Sequence, residues 1–172
     1  VMATTSPEVK KALEVIFAAD SDIYQQRGFQ RRVGYGTRPA LVIIDLANAW
    51  TRPGYAFTCD DMDVIIPTNQ ALLKAARAKR IPVVYTTTAY QDPKGPHSDT
   101  GLWHQKIPVE TLLEGSEEAA IDERIAPQEG EKVIVKKRAS AFHGTYLAGY
   151  LRAQRVDTVI LTGVTMAGCV RH

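Results

Sequence analysis

Three side chains of complementary chemistry follow separate apolar runs of the sequence: Asp45, Lys136 and Cys169. A thiolate is a strong nucleophile, a lysine ammonium beside it stabilises the negative sulfur, and a carboxylate can accept the thiol proton and pass it to a departing amine. The trio therefore predicts acyl transfer at an amide-like carbon, with Cys169 as the nucleophile.

The surroundings of Cys169 favour such a role. The cysteine lies in the turn Thr165-Met-Ala-Gly-Cys169, directly after the apolar run 157–164. We predict a strand-to-helix corner there, because backbone N–H groups and the positive end of a helix dipole both stabilise an anionic sulfur. The N–H groups of the same turn could bind a developing oxyanion, each well-aimed donor contributing about 3 kcal/mol.

Each of the three residues also has a simpler interpretation. An unpaired cysteine is often a small buried hydrophobic residue. Asp45 could merely close a strand or bind loop amides, and Lys136 opens the basic run Lys136-Lys137-Arg138, which at a strand end is usually solvated. The residue types alone leave these alternatives open, but ligands of open parallel α/β sheets bind at the carboxyl ends of the strands, where all three residues fall.

The alternation of apolar runs and amphipathic segments predicts an α/β class of fold. We expect strands at 40–45, 81–87, 132–136 and 157–164, and helices at about 63–79 and 145–154. Continuously apolar strands separated by helices indicate a three-layer, Rossmann-like fold with a mostly parallel sheet covered on both faces. Ser6-Pro7-Glu8 predicts the start of an N-terminal helix with a break near Asp20, so we divide the chain into a helical extension (1–37) and a hydrolase domain (38–172).

Composition narrows the class of partner and the compartment. The chain has 172 residues, 45% of them hydrophobic, and its 21 basic and 19 acidic residues are interspersed. This pattern is typical of a soluble globular domain and argues against binding nucleic acid. The chain has two cysteines, and its N-terminus lacks the features of a leader peptide, which predicts a cytoplasmic protein. Its apolar runs are no longer than a strand, so we expect that it does not span a membrane.

Several other residues have side chains that could take part in chemistry. None of the four histidines has the spacing of a metal ligand with another histidine or cysteine, so we expect no metal at the site. The acidic group Asp60, Asp61 and Asp63 is better explained as caps and dipole partners of a helix than as cation ligands. Cys59 is interpreted as structural or incidental. Trp103 could line a substrate pocket, although tryptophan is more often a core residue. The four histidines are His97, His104, His143 and His172.

Three segments resemble the isochorismatase-like cysteine hydrolases. Arg38-Pro-Ala-Leu-Val-Ile-Ile-Asp45 is similar to the first strand of that family with its catalytic aspartate, and Lys136-Lys-Arg-Ala-Ser-Ala-Phe142 to the segment with its lysine. Gly163-Val-Thr-Met-Ala-Gly-Cys-Val170 is similar to the nucleophile loop. The resemblance implies that the lysine is Lys136 rather than Lys137, because the family's lysine stands six positions before the matching phenylalanine. It also implies a cis peptide at Val164–Thr165, which would direct the Thr165 N–H at the oxyanion.

The resemblance further implies a substrate class. The N-terminal helix, Asn48-Ala-Trp50 and Gly168-Cys-Val-Arg171 are most similar to family members that hydrolyse N-carbamoylsarcosine to sarcosine, carbon dioxide and ammonia in creatinine breakdown. Such an enzyme would be a cytoplasmic homotetramer without a cofactor, acting on a small amide that carries a carboxylate. Maleamate and nicotinamide remain alternative substrates, and a catalytically silent, small-molecule-binding member is a further alternative. A nucleotide-binding module is less favoured, because no Gly-x-Gly-x-x-Gly run follows residues 40–46.

The chain departs from the family at its end. Family members continue past the nucleophile with its helix, at least one more strand and further helices, whereas this sequence ends at His172. We therefore expect the C-terminal part of the domain to be missing from this sequence, together with the family residues that hold a substrate carboxylate.

Overall fold

The computed structural model describes residues 6–95 and 97–172, in two compact units divided between Tyr35 and Gly36. The first unit contains helix α1 (Pro7–Gln26), whose start is capped by the Ser6 hydroxyl, which accepts a hydrogen bond of 3.3 Å from the Val9 N–H. The helix continues without interruption past residue 20, so the predicted break is wrong, and none of its residues is buried.

The second unit is a four-stranded, entirely parallel sheet in the order β3-β2-β1-β4. Three short 3₁₀ helices at 101–105, 109–111 and 123–125 occupy the long segment between β2 and β3. No helix in the described ranges is long and apolar enough to cross a membrane. The elements are β1 (Pro39–Ile44), α2 (Asn48–Thr51), α3 (Met62–Ala78), β2 (Val83–Thr88), β3 (Lys132–Lys136), α4 (Leu147–Ala153) and β4 (Thr158–Gly163).

Helices cover both faces of the central strands. Because successive side chains of a strand point to opposite faces, β1 contributes Leu41 and Ile43 to one apolar cluster with α3, and Ala40, Val42 and Ile44 to another with α4. The predicted three-layer α/β fold with a parallel sheet is therefore confirmed.

The outer strands are less covered than their apolar sequences predicted. Val133 and Val135 of β3, and residues 159–161 of β4, are between 37% and 44% exposed. Both strands have only one strand neighbour, whereas β1 and β2 lie in the interior of the sheet and are almost fully buried. The expectation of burial on both faces thus holds for the two central strands only.

The strand order explains where a ligand can bind. The chain adds β2 and then β3 on one side of β1, and returns to place β4 on the other side. Because of this reversal, the loops after β1 and β4 run to opposite sides of the sheet and leave a crevice between them. Open α/β sheets bind their ligands in such a crevice. Asp45 follows β1 and Cys169 follows β4, so the two residues flank the reversal.

The buried carboxylate of Asp122 joins the end of α2 to the 3₁₀ helix 123–125. Asp122 is fully buried and accepts hydrogen bonds from the Thr51 hydroxyl (2.5 Å) and from the Arg124 Nη2 (2.6 Å) and backbone N–H (2.9 Å). The Arg52 Nε lies 3.1 Å from the same carboxylate. Burial alone would raise the pKa of Asp122, but the hydrogen bonds from Arg124 and Thr51 outweigh it and hold the pKa far below its ordinary value.

We expect Asp122→Asn to lower the free energy of unfolding at pH 7 by about 2 to 3 kcal/mol, since charge-assisted hydrogen bonds are lost. A carboxyl whose pKa falls on folding stabilises the protein above its ordinary pKa, near 3.8, and loses this contribution as the pH falls further. The difference between parent and variant should therefore shrink below about pH 4. Urea unfolding from pH 7 to pH 3 measures it, and a difference that does not change with pH would contradict the assignment.

Candidate active site

Asp45 sits at the centre of the candidate site and is fully buried. It is the first residue after β1 and has a left-handed backbone with φ of 52°, so it lies outside the strand in which the sequence placed it. Its Oδ1 accepts a hydrogen bond of 2.9 Å from the Thr86 hydroxyl, and its Oδ2 accepts one of 3.2 Å from the Thr88 hydroxyl. Two threonines of β2 thus fix the orientation of the carboxylate.

Lys136 ends β3 and is also buried, at 1% exposure. Its Nζ lies 2.8 Å from Asp45 Oδ2 and donates to the Thr88 hydroxyl (2.8 Å) and the Arg138 carbonyl (3.1 Å). The same Nζ lies 3.3 Å from the sulfur of Cys169. The alternative of a solvated basic cluster is therefore wrong for this lysine, because its chain reaches across the end of β2 into the sheet edge.

Cys169 is half-buried in the turn after β4. Burial is the largest influence on its thiol and, together with the negative charge of Asp45, raises its pKa to about 11, while Lys136 acts in the opposite direction. Lys136 thus favours the thiolate, as expected, but is outweighed. The thiol is protonated at neutral pH, so nucleophilic attack requires a base, and the Asp45 carboxylate is next to it.

The loop that carries Cys169 is closed by its own backbone hydrogen bonds. Residues 166–171 form consecutive turns. The peptide bond Val164–Thr165 is cis. The Thr165 carbonyl accepts hydrogen bonds from the N–H groups of Gly168 (3.0 Å) and Val170 (3.2 Å), which closes the loop on itself.

Four N–H groups of this loop, those of Thr165, Met166, Ala167 and Cys169, have no hydrogen-bond acceptor among the described residues. The neighbouring Val164 N–H is already used, since it donates to the Ile44 carbonyl at 3.0 Å and ties the loop to β1. Among the unpaired N–H groups are those of Thr165 and Cys169, which we predict to bind an oxyanion.

Gly163 allows β4 to approach β1 where the nucleophile loop begins. Its φ is 118°, and a Cβ built at this position would lie 2.0 Å from the Ile44 carbonyl oxygen. Gly163→Ala should therefore lower the free energy of unfolding by about 3 kcal/mol or more, because backbone must move. Gly144→Ala is the matched control: its φ is 69° but no atom lies within 4 Å, so we expect a loss of about 1 kcal/mol. Chemical denaturation compares the two, and equal losses would contradict the close-approach explanation.

Trp103 lies on the 3₁₀ helix 101–105, between the apolar core and a cleft. It is half-buried and packs against the apolar cluster under α3, and it also lines a cleft of about 520 Å³ beside Ala167 and Gly168 of the nucleophile loop. The Lys106 ammonium lies 5.6 Å from the centre of its ring. The Trp103 ring therefore separates the apolar core from this cleft.

Lys137 and Arg138 connect the loop that carries Trp103 to the end of β3. The Lys137 Nζ lies 2.9 Å from Asp99 Oδ2, pairs with Glu114 and donates to the Ala89 carbonyl at 2.7 Å. The Arg138 Nη1 donates to the backbone carbonyls of Asp99 (2.9 Å), Thr100 (3.4 Å) and Lys137 (2.7 Å). The three consecutive basic residues thus differ in role. Lys136 points into the edge of the sheet, whereas Lys137 and Arg138 hold the loop that carries Trp103.

Sequence reasoning missed the two threonines that bind Asp45. Thr86 and Thr88 belong to the run Thr86-Thr87-Thr88 at the carboxyl end of β2, and that run was the available signal. Hydroxyls at alternate positions of a strand share one face, and the strand lies between the one before Asp45 and the one that ends in Lys136. Their relevance depended on strand order, which the sequence did not supply.

The remaining candidates lie outside this cluster. Asp61 occupies the N-cap position of α3, but its side chain makes no capping hydrogen bond, so its predicted capping role is wrong. Cys59 packs against the core, and burial raises the pKa of its thiol. His143 and His172 line the cleft beside Gly168, whereas His104 binds the Gly101 carbonyl through Nδ1. Within the described ranges, no group of three or more His, Cys, Asp or Glu side chains could hold a metal ion.

The fold and the Asp-Lys-Cys cluster define a class of protein. Residues 39–172 match the isochorismatase domain, and the chain belongs to this family. It is 56% identical to N-carbamoylsarcosine amidase of an Arthrobacter species over 162 residues, which are 93% of this chain and 61% of that protein. It is 41% identical to maleamate amidohydrolase of Pseudomonas putida over 142 residues, 82% of this chain and 66% of that one. The chain thus spans less than two thirds of the length of either relative.

A solved structure supports the same assignment. The crystal structure of N-carbamoylsarcosine amidase from Thermoplasma acidophilum superposes with a TM-score of 0.66 and 27% identity, over 79% of this chain and 73% of that one. The suspected resemblance to the isochorismatase-like hydrolases is therefore confirmed.

Proposed function

We propose that this protein is a cysteine-dependent amidohydrolase that cleaves the C–N bond of a carbamoyl group or a linear amide. One observation carries the proposal: the buried Lys136 ammonium lies 2.8 Å from Asp45 Oδ2 and 3.3 Å from Cys169 Sγ. A base, a cation and a nucleophile are thereby held around one point at the carboxyl edge of the sheet. A purely binding module has no need of a thiol at that point.

The first half of the reaction forms a covalent intermediate. The Cys169 sulfur attacks the carbonyl carbon while its proton moves to the Asp45 carboxylate. The carbonyl oxygen becomes an oxyanion, which the N–H groups of Thr165 and Cys169 stabilise. The C–N bond then breaks, Asp45 returns the proton to the departing nitrogen, and the acyl group remains bonded to sulfur.

The second half releases the acyl group. A water molecule gives one proton to Asp45 and attacks the carbonyl carbon, the C–S bond breaks, and the sulfur recovers its proton. When ammonia is the first product, the released carbamic acid loses carbon dioxide to give an amine. For N-carbamoylsarcosine and one water molecule the products are sarcosine, carbon dioxide and ammonia. Lys136 stabilises negative charge on Asp45 and on sulfur in turn.

N-Carbamoylsarcosine is the substrate that we favour, because the relative with that activity in its name is 56% identical across 93% of the chain. Maleamate is the second candidate, supported by the 41% identical relative. A nicotinamidase-like activity and a silent, ligand-binding member of the family have less support. We further propose that the enzyme is a cytoplasmic homotetramer, which size-exclusion chromatography with light scattering would test.

A substrate panel tests the proposed activity. The full-length enzyme is incubated separately with N-carbamoylsarcosine, maleamate and nicotinamide, and ammonia is measured enzymatically while intact mass reveals any acyl adduct. We expect the highest kcat/KM for N-carbamoylsarcosine, with equimolar sarcosine and ammonia. Preference for maleamate would move the assignment to the second candidate. Binding without ammonia release from any of the three would contradict an amidohydrolase.

A further inference from the structure

The buried ammonium of Lys136 is surrounded by more hydrogen-bond acceptors than it has N–H groups to donate. A lysine ammonium carries three N–H groups. Among the described residues, four acceptors lie within hydrogen-bond distance of Nζ: Asp45 Oδ2 at 2.8 Å, the Thr88 hydroxyl at 2.8 Å, the Arg138 carbonyl at 3.1 Å and Cys169 Sγ at 3.3 Å. At any moment, at least one of these acceptors is therefore without an N–H of its own.

The four acceptors differ in what the reaction does to their charge. The Thr88 hydroxyl and the Arg138 carbonyl are neutral throughout. Asp45, by contrast, is negative before the thiol proton moves to it, and the Cys169 sulfur is negative afterwards. If the two neutral acceptors hold two of the N–H groups in place, the third is left to turn from Asp45 to the sulfur as the negative charge moves.

The Thr88 hydroxyl contacts both members of the buried ion pair. An ammonium only donates, so the Thr88 oxygen accepts from Lys136, and its own proton points at Asp45 Oδ2, 3.2 Å away. Thr88 thus holds the ammonium and also supplies a donor to the carboxylate. Its side chain is buried, with the residue 7% exposed, so water does not readily take its place.

The preceding residue, Thr87, has a different partner. Successive side chains of a strand point to opposite faces, and the Thr87 hydroxyl donates to the Ala119 carbonyl at 2.6 Å. Thr87 is also buried. It therefore has the residue type, the strand and the burial of Thr88 without a hydrogen bond to Asp45 or Lys136, and it provides a matched control.

We propose that Thr88 is a positioning residue of the reaction: its hydroxyl, with the Arg138 carbonyl, holds the Lys136 ammonium so that one N–H serves Asp45 and Cys169 in turn. The inference rests on the proposed amidohydrolase function and adds to it a residue that acts through Lys136 and Asp45. Without the hydroxyl, the ammonium loses a neutral acceptor and is drawn to Asp45, while the carboxylate loses a donor. Both changes disfavour negative charge on the sulfur.

Two pairs of variants isolate the hydroxyl of residue 88. Thr88→Val keeps the shape of the side chain without the hydroxyl, and Thr88→Ser and Thr88→Ala differ from each other by the hydroxyl alone. With the amide that the full-length enzyme hydrolyses best, we expect kcat to be about tenfold lower in Thr88→Val than in the parent. KM should change by less than about twofold, since ground-state binding is not altered.

The second pair repeats the comparison in a smaller side chain. Thr88→Ser should keep most of the parental kcat, and Thr88→Ala should again be about tenfold below Thr88→Ser. This pair decides the question if Thr88→Val does not fold. Thr87→Val should lower the urea midpoint, because the Ala119 carbonyl loses its donor, and should leave kcat unchanged.

Alkylation of Cys169 by iodoacetamide at pH 8 tests the positioning role without turnover. This neutral reagent reacts with the thiolate, which is a minor form because the pKa of the thiol is raised to about 11. Loss of the Thr88 hydroxyl should reduce the thiolate fraction further and slow alkylation about fivefold in Thr88→Val. Peptide mass spectrometry follows Cys59 in the same sample, and its rate should not change.

The outcomes separate this proposal from the proposed function. Parental kcat and parental alkylation in Thr88→Val would overturn the positioning role and leave the amidohydrolase intact. Equal losses of kcat in Thr88→Val and Thr87→Val would reveal a structural effect, and faster alkylation in Thr88→Val would show that Thr88 keeps the ammonium away from the sulfur; either result also overturns the role. If no amide is hydrolysed, the proposed function fails, and the alkylation rates still decide whether Thr88 positions Lys136.

Discussion

Replacement of Cys169 by alanine is expected to reduce ammonia release by about 10⁴-fold or more, because no other nucleophile replaces the sulfur beside Asp45 and Lys136. The pKa of the thiol is raised to about 11, so the reaction depends on transfer of its proton to Asp45, and the variant has neither the proton nor the nucleophile. The side chain is half-buried, and we expect the free energy of unfolding to change by no more than about 1 kcal/mol. Steady-state ammonia release and urea unfolding measure the two quantities.

The second cysteine supplies the control. Cys59 is also half-buried and also has a raised pKa, but it lies outside the Asp45 cluster. Cys59→Ala should keep parental activity. Near-parental ammonia release by Cys169→Ala would exclude the sulfur as the nucleophile, and parallel losses in both variants would indicate a structural effect.

Disruption of the buried ion pair should cost both stability and activity. Lys136→Met leaves the Asp45 carboxylate without its cation, and Asp45→Asn leaves the ammonium without its carboxylate. Both side chains are fully buried, so each single change should lower the free energy of unfolding by about 3 to 5 kcal/mol. Each should also lower kcat/KM by at least about 10³-fold, since proton transfer or charge stabilisation is lost.

The double variant separates stability from catalysis. Removal of both charges leaves no isolated charge in the interior, so Asp45→Asn with Lys136→Met should be more stable than the sum of the single losses predicts, by about 2 kcal/mol or more. Its activity should not return. Lys132→Met, on the exposed start of the same strand, should change stability by less than about 0.5 kcal/mol. Additive losses of stability would show that the two charges do not interact.

Much of this site could be predicted because parallel strands bring their carboxyl ends to one edge of the sheet. Once Asp45, Lys136 and Cys169 were placed after apolar runs that alternate with helices, a common location followed from the topology of α/β folds. The errors were local. Asp45 belongs to the loop rather than to β1, and α1 continues past the break predicted near residue 20. Element ends depend on a few hydrogen bonds that residue patterns describe poorly.

The sequence by itself determined the reactive groups and the class of fold, because residue type and apolar periodicity are local properties. Only the tertiary structure decided how the groups work together. The order β3-β2-β1 puts Thr86 and Thr88 between Lys136 and Asp45. Burial, which depends on every neighbouring element, makes Cys169 a protonated thiol despite the adjacent lysine. Ion pairs with Asp99 and Glu114, which lie far from Lys137 in the sequence, hold this lysine outside the site.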